Sequence, residues 1–320
     1  MPISVTVGLL SGKEATVQAG VDEEVGTLIR RAQTALGVGR GRLLDATGSV
    51  LDVRDSIKSA RLQDRGSLTL HISRAQLRAT PGAFAAILAD GSVATWGARH
   101  YGGDSSAVQE NLKNVQQIQA CEVAFAAILG DGSVVTWGSA ACDGDSRAVQ
   151  DQLKNLQQIQ ASSGAFAAIL VDGSVVTWGV PTCGGDSSGV QDQLKNVQQI
   201  QACEVAFAAI LGDGSVVTWG SAGCGGDSRA VQDKLKNVQQ IQASKGAFAA
   251  LLDDGSVATW GSDGCGGDSS AVQDKLKNVQ QVQACEVAFA AILGDGSVVA
   301  WGAPGYGGDS NAVQDPLGKG

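Results

Sequence analysis

From residue 74 onward the chain alternates short apolar runs with glycine-rich polar breaks. Within one unit, Ala124–Leu129 and Ser133–Trp137 flank Gly130-Asp131-Gly132. Asp-Gly between two apolar, β-branched runs predicts a hairpin whose two turn residues both tolerate φ > 0. Alternation puts Phe125, Ala127 and Leu129 on one face and Ala124, Ala126 and Ile128 on the other. Both faces are apolar, so such a sheet needs cover on both sides, as stacked sheets provide. Small alanines allow close approach, and Phe and Trp fill what remains, each Trp packed within its strand. The rest of the unit reads two ways. Val108, Leu112, Val115 and Ile118 are spaced 4, 3 and 3 apart, a helical stripe that Asp104-Ser105-Ser106 would cap. The same residues also fit an extended segment, a turn near Lys113-Asn114 and a strand over Val115–Ala120.

The first 73 residues follow another pattern and contain no Phe, Tyr or Trp. Ile3–Leu9 and Glu14–Val17 alternate around Ser11-Gly12, a predicted hairpin. Glu23–Leu36 places Val25, Leu28, Ile29, Ala32 and Leu36 on one helical stripe, with acids leading, Arg30-Arg31 later and Gly37 as stop. Leu43-Leu44, Val50-Leu51 and Leu68–Ile72 predict short strands. Two strands, a helix and three short strands give a β-grasp order.

The later pattern is a tandem repeat. Trp96, Trp137, Trp178, Trp219, Trp260 and Trp301 fall 41 residues apart, as do Phe84, Phe125, Phe166, Phe207, Phe248 and Phe289. Asp-Gly pairs keep the same step. Tyr101 and Tyr306 share a phase with Cys142, Cys183, Cys224 and Cys265. A second period of 82 overlies the first: Cys121-Glu122-Val123, Cys203-Glu204-Val205 and Cys285-Glu286-Val287 alternate with Pro81-Gly82, Ser163-Gly164 and Lys245-Gly246. Leu112–Ala140 and Leu194–Ala222 are identical over 29 residues. Periods of this size mean solenoids, propellers or arrays. Six units fill residues 74–320, which divides the chain into 1–73 and 74–320.

Charge narrows the partners. The chain of 320 residues carries a net charge of −9, with 43% hydrophobic residues, ample for packed cores. Residues 1–73 hold nine Lys/Arg and eight Asp/Glu, and the remainder 14 and 24. An acidic array repels phosphate backbones, so nucleic acid is not an expected partner. No apolar run approaches the roughly 18 residues of a membrane span, and Met1-Pro2-Ile3-Ser4 opens no signal peptide. These readings predict no membrane association, a cytoplasmic or nuclear location, and seven reduced cysteines. His71 and His100 are the two histidines, too few for a repeated His-based site.

Two resemblances extend this. The string from Val115 through Cys121-Glu122-Val123, Gly130-Asp131-Gly132 and Thr136-Trp137-Gly138 resembles the repeat of the regulator-of-chromosome-condensation family. That resemblance implies an apolar strand, a small-residue turn, a second strand, Asp-Gly and a strand ending in Trp-Gly. All six units match it, which favours the strand over the helix for Val115–Ala120. It implies an all-β propeller of six 41-residue blades, three-stranded rather than four-stranded. Residues 3–72 look like ubiquitin: Leu10-Ser11-Gly12-Lys13 matches its first turn, and Arg42 through Gly48, Ser56-Ile57, Leu62-Gln63 and Ser67–Leu70 follow its second half. By that resemblance its apolar docking patch falls on Leu44 and on His71, where an imidazole replaces an aliphatic residue. Its chain-forming lysines fall on Ser49 and Asp64, and no di-glycine end is present. The likeness therefore implies a built-in ubiquitin-like domain and not a conjugated modifier. Similar propellers occur in giant ubiquitin ligases with a HECT domain; the sequence contains none, so ligase activity is not expected in this chain.

Candidate chemistry is sparse. Gly37-Val38-Gly39-Arg40-Gly41-Arg42 resembles a phosphate loop but lacks the Gly-Lys-Ser/Thr ending and follows a helix; a helix stop is the better reading. Asp104, Asp145, Asp186, Asp227, Asp268 and Asp309 recur in Gly-Asp-Ser, yet one Asp per unit cannot supply the six to eight oxygens of calcium, so each is read as bonding loop amides. The repeat-phase cysteines, at corresponding points of separate blades, are read as half-buried loop residues and not as zinc ligands, which must converge on one ion. No cofactor or metal is expected. A catalytic site needs unlike residues to converge, and a near-identical repeat offers like ones, so the sequence argues against an enzyme.

The reading is a ubiquitin-like β-grasp domain followed by a propeller that serves as a protein-interaction scaffold, expected to be monomeric, with ubiquitin-pathway partners implied by resemblance alone. Variation concentrates in the loops after each Trp-Gly, on one rim, where rigid scaffolds carry recognition. Arg99, His100, Tyr101, Asp143, Pro181, Asp263 and Tyr306 are the candidate partner-binding residues there. Arg99-His100-Tyr101, which breaks the repeat, is read first as a cap on its blade. The alternatives are a carbohydrate-binding, lectin-like propeller, an accessory fragment of a ubiquitin ligase, and a structural product of recent duplication without a specific partner.

Overall fold

Six three-stranded antiparallel sheets follow one another along the repeats of a computed structural model that describes residues 2–38, 41–72, 76–88, 90–139 and 145–309. The chain divides into two compact units, Met1–Arg78 with Ala85–Ala94 and Gln109–Gln116, and Ala79–Phe84 with Thr95–Val108 and Gln117–Gly320.

In the first unit a four-stranded sheet is formed by β1 (Pro2–Gly8), β2 (Glu14–Gly20), β3 (Arg42–Leu44) and β4 (Ser67–His71), with α1 spanning Val25–Leu36. The strand order is β2-β1-β4-β3, with β1 parallel to β4 and the other pairs antiparallel. Val5, Val7, Leu28, Leu36, Leu43, Ile57 and Leu70 are buried together between helix and sheet. The helix starts at Val25 rather than Glu23, because Glu24 is extended, with ψ 146, and forms a β-bridge to Ser56. It ends where expected, at Gly37 with φ +64. Val50 contributes a single bridge to Leu44 and no strand.

The repeat sheets comprise Gln76–Thr80, Ala83–Ile87 and Val93–Gly97; Val115–Ala120, Ala124–Leu129 and Val134–Gly138; Leu156–Ala161, Ala165–Leu170 and Val175–Gly179; Val197–Ala202, Ala206–Leu211 and Val216–Gly220; Val238–Ala243, Ala247–Leu252 and Val257–Gly261; and Val279–Ala284, Ala288–Leu293 and Val298–Gly302. The predicted strand Val115–Ala120 is thus found, with only a short 3-10 turn at Gln109–Asn111 in place of the competing helix. Asn114 explains this. It adopts φ +53, and Asn155, Asn196, Asn237 and Asn278 repeat it at +52 to +56. One left-handed residue ends any right-handed turn and aims the chain into the strand.

The hairpin turn differs from expectation. Gly132 has φ +77, but Asp131 is not left-handed. Gly132 N–H donates to the Leu129 carbonyl and Leu129 N–H to that of Ser133, a longer loop with glycine at the bulge position. The Asp131 carboxylate instead accepts from Ser133 N–H at 3.0 Å and from its hydroxyl at 2.6 Å.

Sheets in the second unit stack face on face. Ala124, Ala126 and Ile128 of the second sheet pack on Phe166, Ala168 and Trp178 of the third. The same junction joins the third to the fourth, the fourth to the fifth and the fifth to the sixth. Each Phe stacks on the Trp opposite it in the same hairpin, with ring centroids 5.2–5.4 Å apart. Trp96 departs from the packed expectation: it is 47% exposed, whereas Trp137, Trp178, Trp219, Trp260 and Trp301 are each 4% exposed.

Candidate functional site

Among the described residues, five loops after Trp-Gly share one fold. Pro181–Cys183 form a 3-10 turn, and Gly184 closes it at φ +91 by returning its N–H to the Pro181 carbonyl. Arg99–Tyr101, Ala222–Cys224, Asp263–Cys265 and Pro304–Tyr306 repeat this turn. Beyond it the crossover is tied to the third strand. Thr177 Oγ1 and Ser187 Oγ share a hydrogen bond of 3.0 Å, Ser187 Oγ donates to Gln191 Oε1 at 2.8 Å, and Gln191 Nε2 donates to the Val175 carbonyl at 2.9 Å. Buried serine at this position is therefore satisfied, as a buried hydroxyl must be. The result is a set of loops with one backbone and varied side chains.

Among the expected partner-binding residues, Arg99, His100, Pro181 and Asp263 are exposed, and Tyr306 is 67% exposed. Arg99 pairs with Asp104 at 3.4 Å, and His100 lies against Tyr101 with ring centroids 4.6 Å apart. Tyr101 itself is only partly exposed. Its ring lies over Gly82, where an added Cβ would come within 2.6 Å of it, and its carbonyl accepts from Thr80 Oγ1. Asp143 and Cys142 lie outside the described residues.

The recurrent acids serve the loop backbone. Asp104, Asp186 and Asp268 accept from the N–H two residues on at 2.8–2.9 Å. Side-chain hydrogen bonds from Arg147 and Arg229 come first in holding the Asp145 and Asp227 carboxyls down to about 2. The cysteines are closer together than equivalent positions on separate sheets suggested. A Cβ on Gly246 would lie 3.2 Å from Cys265 Sγ and 3.6 Å from Cys224 Sγ, and Cys203 Sγ donates to the Cys224 carbonyl at 3.2 Å. Burial pushes the Cys203 thiol up to about 11, a poor nucleophile. Among the described residues, no group of three or more His, Cys, Asp or Glu is placed to hold a metal ion, and no helix is long and apolar enough to cross a membrane.

In the first unit, Leu44 lies opposite Thr69, and Arg42 opposite His71. Leu43, Leu68 and Leu70 point into the core, so alternation places Leu44 and His71 diagonally on the other face. Leu44 is half-buried and His71 exposed. Next to them Arg42 donates to Asn114 Oδ1 at 2.7 Å and to the Val115 carbonyl at 3.1 Å, a contact within the same compact unit that no motif in the sequence foretells. A second feature that went unforeseen is a row of charge across the later sheets, where Lys245 Nζ sits 3.8 Å from Glu204 and 3.7 Å from Glu286. Its visible signal was the 82-residue recurrence of Glu122, Glu204 and Glu286, with Lys245 at the phase between the last two.

No family model matches the chain, and no curated protein does. Solved structures do. Prp20p from Saccharomyces cerevisiae, described with its binding properties to Gsp1p and histones, is 18% identical over 71% of this chain and 71% of its own, with a TM-score of 0.46. The ectodomain of the Physcomitrella patens receptor kinase CR4 is 17% identical over 73% of this chain, with a TM-score of 0.42; the chain spans 63% of its length. Human WBSCR16 is 13% identical over 81% of this chain and 83% of its own, at 0.46. Likenesses of this order decide neither the fold nor the function of this chain.

Proposed function

We propose that the chain is a non-catalytic protein-interaction scaffold, a ubiquitin-like β-grasp region over residues 1–73 followed by a regulator-of-chromosome-condensation-like array over 74–320. The observation that carries this reading is the set of loops after Trp-Gly, one fixed backbone presenting Arg99-His100, Pro181, Asp263 and Tyr306 to solvent. Rigid turns bearing unlike side chains are what recognition of a protein surface needs, and several such turns in a row suit contacts of more than one valency. The β2-β1-β4-β3 order with one helix supports the β-grasp reading, and Leu44 beside His71 supports a weak ubiquitin-like docking patch.

Proximity labelling and capture with the full chain, compared with Arg99→Ala/Tyr306→Ala, tests the loops. Proteins lost from the variant are the loop partners; an unchanged set would sink the reading. Titration of the full chain with common ubiquitin-binding domains tests the patch. A polar imidazole at the centre of an apolar docking contact has to be taken out of water where an aliphatic side chain would be buried favourably, so His71→Val is expected to tighten binding roughly tenfold. Ubiquitin-like affinity in the unmodified chain would remove His71 from the argument. The carbohydrate reading rests on exposed Tyr306 and half-exposed Trp96, aromatic faces on which a sugar stacks, and a glycan array separates it.

A further inference from the structure

One junction builds the stack, and each end of the stack presents an unused half of it. At each of the four junctions from the second sheet to the sixth the earlier sheet offers an Ala/Ala/Ile face, Ala/Ala/Leu in the fifth sheet, and the later sheet a Phe/Ala/Trp face. From the third sheet onward two hydrogen bonds cross the junction in opposite senses, while at the junction of the second and third sheets Trp178 Nε1 has no acceptor among the described residues. The later sheet's indole donates to a loop carbonyl of the earlier one: Trp137 to Gly102, Trp219 to Gly184, Trp260 to Gly225 and Trp301 to Gly266, at 3.0–3.1 Å. The earlier unit's backbone N–H donates to the residue 41 positions on: Glu122 to Ser163, Ser163 to Glu204, Glu204 to Lys245 and Lys245 to Glu286, at 2.7–3.0 Å.

At the leading end the later-sheet half stands open. Phe84 is 41% and Trp96 47% exposed, where their equivalents Phe207 and Trp219 are 0% and 4% exposed. Trp96 Nε1–H has no acceptor and the Pro81 carbonyl no donor among the described residues. At the trailing end the earlier-sheet half stands open. Ile292 is 44% exposed against 6% for its equivalent Ile210, and the Glu286 N–H and Gly307 carbonyl have no partner among the described residues. Apolar face, donor and acceptor at one end each meet their counterpart at the other. Pro81, which stands at the phase of Glu204 and Lys245, brings no charge to the Glu286 carboxylate.

We propose that the Phe84–Trp96 face of one copy seats on the Ile292 face of a second copy, reproducing between chains the junction that joins sheets within one. The contact is head to tail, so association closes into a ring of copies or continues as a filament. The occupant is a second copy because each end carries both the apolar residues and the hydrogen-bonding groups that the other end lacks.

Sedimentation of the full chain from about 1 to about 100 μM, the range of ordinary protein association, is expected to show mass rising above 32.4 kDa with concentration. Native thiol labelling reports the junction. Cys285 is exposed whereas Cys203, its equivalent at an internal junction, is buried, so Cys285 should become as slow as Cys203 when chains associate. Trp96→Glu and Ile292→Glu alter exposed side chains and should keep the circular dichroism spectrum, yet each should remain a single chain. Mixed in equal amounts, they should form a pair of twice the chain mass and nothing larger, because each keeps the end the other lacks. A chain that stays single at every concentration overturns the proposal. Reactive Cys285 would then mean idle ends, and Cys285 protected independently of concentration would mean closure within one chain. Failure of the two variants to pair overturns it as well.

Discussion

A Cβ at Gly184 would sit 2.5 Å from Cδ2 of Phe207, on a backbone already at φ +91. Strain at positive φ and overpacking each cost roughly 1–3 kcal/mol, so Gly184→Ala is expected to destabilise the chain by about 2–6 kcal/mol in urea unfolding followed by tryptophan fluorescence. Gly189 meets nothing within 4 Å and has no positive φ; Gly189→Ala should stay within about 0.5 kcal/mol. The sequence places both of these glycines in one loop and does not tell them apart, because the difference lies in a ring contributed by the next sheet. Carboxylates make the second residue-scale prediction. Hydrogen bonds from Arg147 and Arg229 hold Asp145 and Asp227 down to about 2, and Ser133, Ser174, Ser215, Ser256 and Ser297 lower Asp131, Asp172, Asp213, Asp254 and Asp295. A folded pKa below the unfolded value of about 3.9 means stability present above that pH and lost as pH falls through the folded value. Urea midpoints should therefore decline from pH 5 to pH 2, and Asp145→Asn/Asp227→Asn should flatten the lower part of that decline. A midpoint independent of pH in this window would contradict the hydrogen bonding described.

At the scale of elements, Asn196 is the small residue with the large effect. It holds φ +55 at the entrance to the strand Val197–Ala202. A left-handed conformation costs other L-residues about 1–2 kcal/mol, so Asn196→Leu should lower stability by that amount while Asn196→Gly leaves it nearly unchanged, as thermal unfolding would measure. Equal losses for both would mean that the side chain and not the backbone matters there. This position also explains how far the elements were legible. Val108, Leu112, Val115 and Ile118 look helical because three of them are buried on either side of a turn, and burial across a turn mimics helical spacing. The strands flanking Asp-Gly were readable from alternation alone. The turn between them was readable as a turn but not as its type, which depends on whether the Asp side chain or its backbone supplies the reversal.

For the whole molecule, the repeat foretold a succession of β-sheets that pack face on face. It did not foretell the ends, since a repeat describes neighbours and the first and last units each lack one. Trp96 and Trp219 sit in near-identical sequence and differ nearly twelvefold in exposure, 47% against 4%, for that reason. The candidate loops were legible as places where the repeat varies. Their shared backbone was not, because the contacts that tie the crossover to the sheet, such as Thr177–Ser187–Gln191, join residues scattered along the unit.

The uniform junction also bears on how such a gene changes. Excising residues 122–203 would join Cys121 to Glu204 and leave Cys-Glu-Val intact. Two sheets would go, and every surviving junction would keep its residues. Insertion of the same stretch is equally silent. The identical Leu112–Ala140 and Leu194–Ala222 segments are the kind of tract along which copies misalign during replication or exchange. Length is therefore the property this chain can alter most freely: a slip of 82 codons changes the number of presented loops in one event, where altering a single buried glycine would cost the fold.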